Sequence, residues 1–269
     1  MTTSLASRSP LIHDLQPVGR FAVSDPRSEA PAILRQRLRR EGYLFVRDAV
    51  DVAALARVRR DILALCAGHG WLDSDASFDD GVYSGRAFPD HAEYMTLYRK
   101  LLALPSFNDL SRSPGLLSLF AMLLDGPAIS HRRTIARISY PGNVAATTQP
   151  HQDYFYIRGS TQTYTAWIPT ADCPSALGGL AVLEGSQRLG FLPHEPTVGA
   201  GGNGVRTDHL DLRWLSEDYR AGDLVLFHSH TIHAAMDNRT RDRLRISLDY
   251  RYQRADAAID PSSLEPHGG

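Results

Sequence analysis

Three short stretches of the chain carry residue types able to do chemistry. His151-Gln152-Asp153 sets an imidazole and a carboxylate two residues apart. On an extended segment that spacing turns both side chains to one face, within reach of a single ion. A second imidazole would complete a two-His, one-carboxylate facial triad, the donor set that suits Fe(II) and leaves coordination positions open. The pair by itself also fits an ordinary strand end. The second stretch runs from Gly222-Asp223 through Leu224-Val225-Leu226-Phe227 to His228, His230 and His233, so that three of the 11 histidines fall within six residues. His228 and His230 lie in or just past the apolar run, positioned to line a cavity or face solvent, and His233 lies beyond a turn. Spacing does not choose a ligand among them, and a polar strand end with no ligand remains open.

The third stretch is Arg243-Leu244-Arg245-Ile246-Ser247-Leu248-Asp249-Tyr250-Arg251-Tyr252. Strand alternation puts Arg243, Arg245 and Ser247 on one face and Leu244, Ile246 and Leu248 on the other. An arginine turned into a barrel is costly unless it meets an anion. Guanidinium grips a carboxylate with two prongs, and a neighbouring serine hydroxyl adds a third hydrogen bond. A dicarboxylate would meet that demand. A solvated basic edge strand would also explain the pattern.

The elements that must position these residues follow from periodicity and punctuation. Residues 1–27 mix Ser, Pro, Arg and Asp without a period and read as a flexible N-terminal arm. Pro31 opens a helix that Gly42 stops. Tyr43–Val46 reads as a short buried strand, and Asp51 caps a helix ending at Gly68 with Leu55, Val58, Ile62, Leu65 and Cys66 on its apolar face. Residues 72–90 read as a loop, residues 91–104 as a helix stopped by Pro105, and Ser113-Pro114 as the start of an apolar helix ending at Gly126. From about residue 128 short β-branched and aromatic runs take over: Thr134–Tyr140, Thr163–Ile168, Leu180–Leu183, Leu224–Phe227 and Leu244–Tyr252. The glycine-rich Gly199–Gly204 is a candidate lid loop. Helices followed by strands predict a mainly β fold with a helical buttress around a jelly-roll or cupin-like core. The division is a single domain over residues 28–256, mainly helical over 28–127 and β-rich over 128–256, with a C-terminal tail over 257–269.

Composition narrows the chemistry further. The 269 residues carry 29 basic and 30 acidic side chains, a formal charge of −1, which argues against nucleic acid or an anionic membrane as partner. Lys100 is the only lysine, so Schiff-base and P-loop chemistry have one candidate at most. Cys66 and Cys173 stand far apart with no thiolate-metal spacing. No stretch has the apolar length of a membrane span or a secretory leader, so the expected compartment is the cytoplasm and the expected partner a small-molecule substrate.

Taken in order, several motifs resemble the phytanoyl-CoA dioxygenase family of Fe(II)/2-oxoglutarate oxygenases. They are Glu41-Gly42-Tyr43-Leu44-Phe45-Val46, Gln149-Pro150 before His151-Gln152-Asp153, Ala166-Trp167, Gly178-Gly179-Leu180 with Glu184-Gly185-Ser186, and Gly222-Asp223 leading to His233. The resemblance runs from about residue 30 to residue 254 and implies a double-stranded β-helix core. It implies His151, Asp153 and His233 as iron ligands, Arg245 with Ser247 as the grip on 2-oxoglutarate, and Trp167 beside the co-substrate. Arg243 stays a substitute for Arg245, because the link from Asn238 is about one residue longer than the family's. Gly185-Ser186-Gln187 departs from the family's frequent Gly-Ser-His. The implied activity is O₂-dependent oxidation, foremost hydroxylation, of an unactivated C–H bond in a small metabolite. An arginine- and alanine-rich, lysine-poor composition points by analogy to a GC-rich bacterial source and specialised metabolism. Tyr140, Tyr154, Tyr156 and Arg158 are candidates for the pocket mouth. A cupin-like metal-dependent isomerase or hydrolase using the same triad without 2-oxoglutarate, and a non-catalytic jelly-roll binding module, are the competing readings.

Overall fold

Alternation along the strands sets the architecture. In the computed structural model, which describes Leu15 and residues 17–267, the first strand, β1 (Tyr43–Val46), turns Leu44 and Val46 outward and Tyr43 and Phe45 inward. It follows α1 (Pro31–Glu41), which ends where Gly42 takes φ +83° and donates its N–H to the Leu38 carbonyl. Next come α2 (Val52–Gly68), capped by Asp51 through the N–H groups of Ala53 and Ala54, and α3 (His91–Leu102), α4 (Pro105–Ser111) and α5 (Pro114–Leu124). The β half holds β2 (Ala128–Ser130), β3 (Ile135–Ser139), a helical turn α6 (Tyr154–Ile157), β4 (Tyr164–Pro169) and β5 (Leu180–Leu183). It continues with β6 (Glu195–Pro196), β7 (Asn203–Gly204), β8 (Trp214–Leu215), β9 (Leu224–His228), β10 (His233–Ala235) and β11 (Arg245–Arg254).

The major antiparallel sheet runs β1-β9-β4-β11-β2, with β3 also paired to β11. A smaller sheet, β10-β5-β8, faces it, and β6 and β7 form a separate hairpin. The outer face of the major sheet, including Ala166, Ile168, Leu226, Leu248 and Tyr250, packs on Leu55, Ile62, Leu101 and Phe120 of the helices in one continuous apolar cluster. Its inner face meets the small sheet through Phe45, Trp167, Val225 and Phe227 against Leu180, Val182 and Leu215. This is the double-stranded β-helix that the family resemblance implies, with the helical buttress expected from the order of elements, in three layers.

Local readings differ from the structure in three places. Pro105 does close α3, but it also opens α4 as its first residue, since a proline costs nothing where the helical N–H has no partner. Residues 17–27, expected as the end of a loose arm, are laid on the sheets. Gly19 bridges Leu215, Val23 bridges Phe45, and Phe21 is buried against Tyr43, Phe45 and Tyr219. A single buried ring has no period for a sequence pattern to register. Residues 1–14 and 16 lie outside the described residues. The C-terminal tail is likewise docked: Pro261–Leu264 form a turn of 3₁₀ helix, Ser263 is buried, and the His267 ring packs edge-on against Tyr98.

Candidate metal centre and the cavities around it

His151, Asp153 and His233 come together in the interior, with one ligand atom from each lying within 4.8 Å of the others. Backbone pairing holds the two histidines in register: His151 and His233 exchange N–H···O bonds of 3.0 and 3.1 Å. Each imidazole donates its Nδ1 hydrogen to a nearby carbonyl, His151 to Gln149 at 2.8 Å and His233 to Thr231 at 3.0 Å. Those bonds leave both Nε2 lone pairs free for a cation and fix the ring planes. Burial above all, and each other's charge for His151, hold both rings below the usual histidine range, so they sit neutral, as ligands must.

Asp153 is only 2% exposed. Burial pushes its carboxyl up, but the Arg251 guanidinium, followed by the two imidazoles, outweighs burial and holds it well below the usual carboxylate range. Arg251 reaches Oδ1 through Nη2 at 3.1 Å and Oδ2 through Nε at 3.3 Å, and Thr165 donates its hydroxyl to Oδ2. A carboxylate accepts about four hydrogen bonds, so Oδ1, which lies 3.8 Å from His151 Nε2, keeps a lone pair on the imidazole side. Gln152, between His151 and Asp153, turns away from the triad, not by strand alternation as the spacing suggested, because Asp153 already takes helical φ −58°, ψ −30° at the start of α6. Its buried amide donates to the carbonyls of Gly190 and His230 and accepts from the Leu192 N–H, which clamps the loops on either side of the triad. Ser186 accepts the N–H of Ile232, beside His233. Thr165, Arg251, Gln152 and Ser186 escaped the sequence reading. Only Arg251 had a signal, as the next inward position but one after Ser247 on β11.

His228 and His230 lie away from the triad. They pack edge-on to each other with ring centroids 5.3 Å apart, against Tyr164 and Tyr154 respectively. The two candidate arginines part at the start of β11. Arg243 precedes it, is half exposed and lies 3.8 Å from Asp80. Arg245 is 4% exposed, donates to Ser247 Oγ at 2.7 Å, and has a buried Nε with no hydrogen-bond partner. It lines a cavity of ≈ 400 Å³ that Arg137, Thr148 and Tyr140 also reach. A second cavity, of ≈ 560 Å³, takes in His151, Asp153, Arg137, Thr148 and Tyr156. Tyr140 and Tyr156 therefore line cavities as expected, whereas Tyr154 packs edge-on against Phe191, Arg158 lies over the Phe155 and Phe191 rings, and both stay out of these cavities. Trp167 is buried in the inter-sheet cluster, 4.7 Å from the Tyr219 ring, and lines neither cavity. The Gly199–Gly204 stretch takes in the tip and second strand of the β6–β7 hairpin, and its Gly199 and Ala200 line both cavities. Gly199 takes φ +116°, and a Cβ there would sit 2.2 Å from the Thr147 carbonyl oxygen.

The phytanoyl-CoA dioxygenase family model matches residues 38–247, from the end of α1 to Ser247. The chain belongs to that family. Its relatives in the phytanoyl-CoA dioxygenase family include the 1-deoxypentalenic acid 11-beta-hydroxylase of Streptomyces exfoliatus, 26% identical over 84% of this chain and 82% of the relative. A probable phytanoyl-CoA dioxygenase of Caenorhabditis elegans is 24% identical over 80% of this chain and 73% of the relative. Among solved structures, the epimerase SnoN in complex with Fe3+, alpha ketoglutarate and nogalamycin RO superposes with a TM-score of 0.62 at 23% identity, covering 88% of each chain. The alpha ketoglutarate dependent carbocyclase SnoK superposes with a TM-score of 0.62 at 19% identity, covering 89% of this chain and 90% of its own. Those two share the fold. Family membership makes the protein a non-haem Fe(II)/2-oxoglutarate oxygenase, in place of a metal-dependent isomerase or hydrolase that does without 2-oxoglutarate or a non-catalytic binding module.

Proposed function

We propose that the protein hydroxylates an unactivated C–H bond of a small metabolite, with Fe(II) held by His151, Asp153 and His233 and 2-oxoglutarate held by Arg245 and Ser247. The observation that carries this reading is the pairing of two incomplete sites. Three buried ligands present free donor atoms to one point, and a buried arginine with an unpartnered Nε lines the adjoining cavity. A buried guanidinium lacking an anion is costly. The far carboxylate of 2-oxoglutarate would take that Nε and a free Nη, while Ser247, already turned to Arg245, fixes the fork. Bound iron would supply O₂ activation coupled to oxidation of 2-oxoglutarate to succinate and CO₂.

The chain's own contribution is orientation and dryness. Gln149 and Thr231 set the imidazole tautomers, Arg251 and Thr165 keep Asp153 ionised and aimed, and the β6–β7 hairpin shields the cavity from water. The names of the relatives span hydroxylation, epimerisation and carbocyclisation. Hydroxylation asks for nothing beyond the triad and a C–H bond, so it is the reading favoured here.

The test compares the two arginines by 2-oxoglutarate-dependent succinate formation with Fe(II) and O₂. Loss of a charge-assisted contact costs about 1.5–3 kcal/mol, so Arg245→Gln raises the half-saturating 2-oxoglutarate concentration roughly 10- to 100-fold. Arg243→Gln leaves it within about twofold of wild type, as for other exposed charges. Absence of succinate from the wild-type protein, or equal effects of the two substitutions, would overturn the assignment.

A further inference from the structure

The ≈ 560 Å³ cavity beside the triad is of a size that takes a small organic ligand. Tyr94, Met95 and Tyr98 of α3, Ile135 of β3 and Ile157 of α6 give it mostly hydrocarbon and ring-face walls. Three guanidinium groups face it, those of Arg133, Arg137 and Arg251. Two are matched: Arg137 by Asp249 at 2.9 Å and Arg251 by Asp153 at 3.1 Å. Arg133 makes no ion pair among the described residues. Its Nη1 donates to the Tyr156 carbonyl at 2.9 Å and to Ser262 Oγ at 3.0 Å, which fixes the fork in place. Asp260, on the same segment as Ser262, is engaged by the N–H and hydroxyl of Ser262. At this end of the cavity His267 adds an imidazole, its Nδ1 3.1 Å from Tyr98 Oη, and burial keeps that ring neutral. Asp260 acts on Arg133 only from beyond Ser262, so no carboxylate touches the guanidinium at this end.

We propose that Arg133 anchors an anionic group of the substrate, and that the substrate is an apolar acid: a compact hydrocarbon skeleton with one carboxylate or similar anion. This rests on the iron and co-substrate reading above, under which loading the centre does not neutralise Arg133. The charges of Fe(II) and 2-oxoglutarate cancel, and the far carboxylate is taken by Arg245. A half-buried cation beside a second guanidinium is kept at a cost, since burial and then Arg251 lower the proton affinity of Arg133 by more than Asp260 and Asp153 restore it. An anion arriving with an apolar body relieves that cost and covers the hydrocarbon walls in the same event. Bound by its acid at the Tyr98–His267 end, the skeleton lies across Ile135 and Ile157 with a C–H bond toward the triad. Arg133 is a binding residue in this scheme and acts on specificity.

The experiment titrates two dyes of the same ring skeleton into the protein, 8-anilinonaphthalene-1-sulfonate, which is anionic, and N-phenyl-1-naphthylamine, which is neutral. Both are followed by fluorescence, in the metal-free protein and in the protein loaded anaerobically with Fe(II) and 2-oxoglutarate. The wild-type protein binds the anionic dye at least about tenfold more tightly, one charge-assisted contact's worth. Arg133→Gln removes that preference and leaves the neutral dye's affinity unchanged, and Arg133→Lys restores most of it. Equal affinity for the two dyes, no binding of either, or an equal loss of both in Arg133→Gln overturns the proposal. Loading is read separately from the visible band that requires iron and co-substrate together. Loss of that band in the wild-type protein would sink the cofactor reading, while the dye comparison on the metal-free protein would still judge the anion anchor.

Discussion

Asp153 shows how much of the centre is set by single side chains. Its carboxylate is buried, and burial alone would protonate it. Arg251, buried on the same inner face of the major sheet, keeps it ionised, and Thr165 takes up part of Oδ2, so the lone pair facing His151 is aimed as well as charged. Sequence spacing singled out His151 and Asp153 by their two-residue offset, but nothing in that offset says what holds the carboxylate, because Arg251 is 98 positions away. The choice of His233 over His228 and His230 was likewise invisible to spacing. It depends on the backbone bridge to His151, which is a property of two sheets meeting. Other imidazoles carry a stability signal. Burial, ahead of nearby charges, lowers His131, His228 and His267 to about 4. Their folded pKa values lie below the unfolded value near ~6.5, so between those limits the unfolded chain binds protons that the native protein refuses. Stability is therefore full above about pH 6.5 and declines as pH falls toward about 4. Urea midpoints of the metal-free protein from pH 7.5 to 4.5 should fall steeply below about 6.5, with unfolding taking up at least about three protons, since His151 and His233 are held neutral as well. A flat profile across that range would contradict the burial of these rings.

At the scale of elements, β11 does most of the positioning. Its outward residues Ile246, Leu248, Tyr250 and Tyr252 are all nearly fully buried under the helices, and its inward residues Arg245, Ser247, Asp249 and Arg251 are all polar. The alternation from Arg243 to Leu248 made that division legible, though the strand begins at Arg245, so Arg243 drops out of the inner face. The long helices were legible from caps and periods: Asp51, Gly42 and Pro114 stand where α2 begins, α1 ends and α5 begins. The two-residue strands β6, β7 and β8 and the one-turn α6 were not, because elements that short have no period and are held by tertiary pairing. The β6–β7 hairpin makes a prediction of its own. Tyr156 Oη lies within hydrogen-bond reach of the carbonyls of Gly201, at 3.2 Å, and Asn203, at 3.1 Å, and so ties the hairpin tip down over the cavity. Tyr156→Phe removes about 0.5–1.5 kcal/mol of local tethering. Limited proteolysis within residues 197–202 should then speed up several-fold while the global melting temperature shifts by only a few degrees. Unchanged cleavage would show that the tip is held by something else.

Over the whole molecule, the helices and the small sheet divide the work on the major sheet. The helical layer covers its outer face with one apolar cluster that runs from Leu34 to Tyr252, and the small sheet closes the inner face with a second cluster centred on Phe45, Trp167 and Val225. Polar residues gather where the inner layer opens beside β3, β10 and β11, and His151, Asp153 and His233, the four arginines that line the cavities and both cavities themselves lie there. The fold thus sets a charged, shielded site on the open side of a dry sandwich. In the proposed centre His151, Asp153 and His233 bind one Fe(II) to which 2-oxoglutarate is added. An anaerobic absorption titration tests it most directly. A weak visible charge-transfer band should appear only when Fe(II) and 2-oxoglutarate are both present, persist in His230→Ala, and vanish in His233→Ala with the fold intact by circular dichroism. No band in the wild-type protein, or a band of full intensity in His233→Ala, would contradict it.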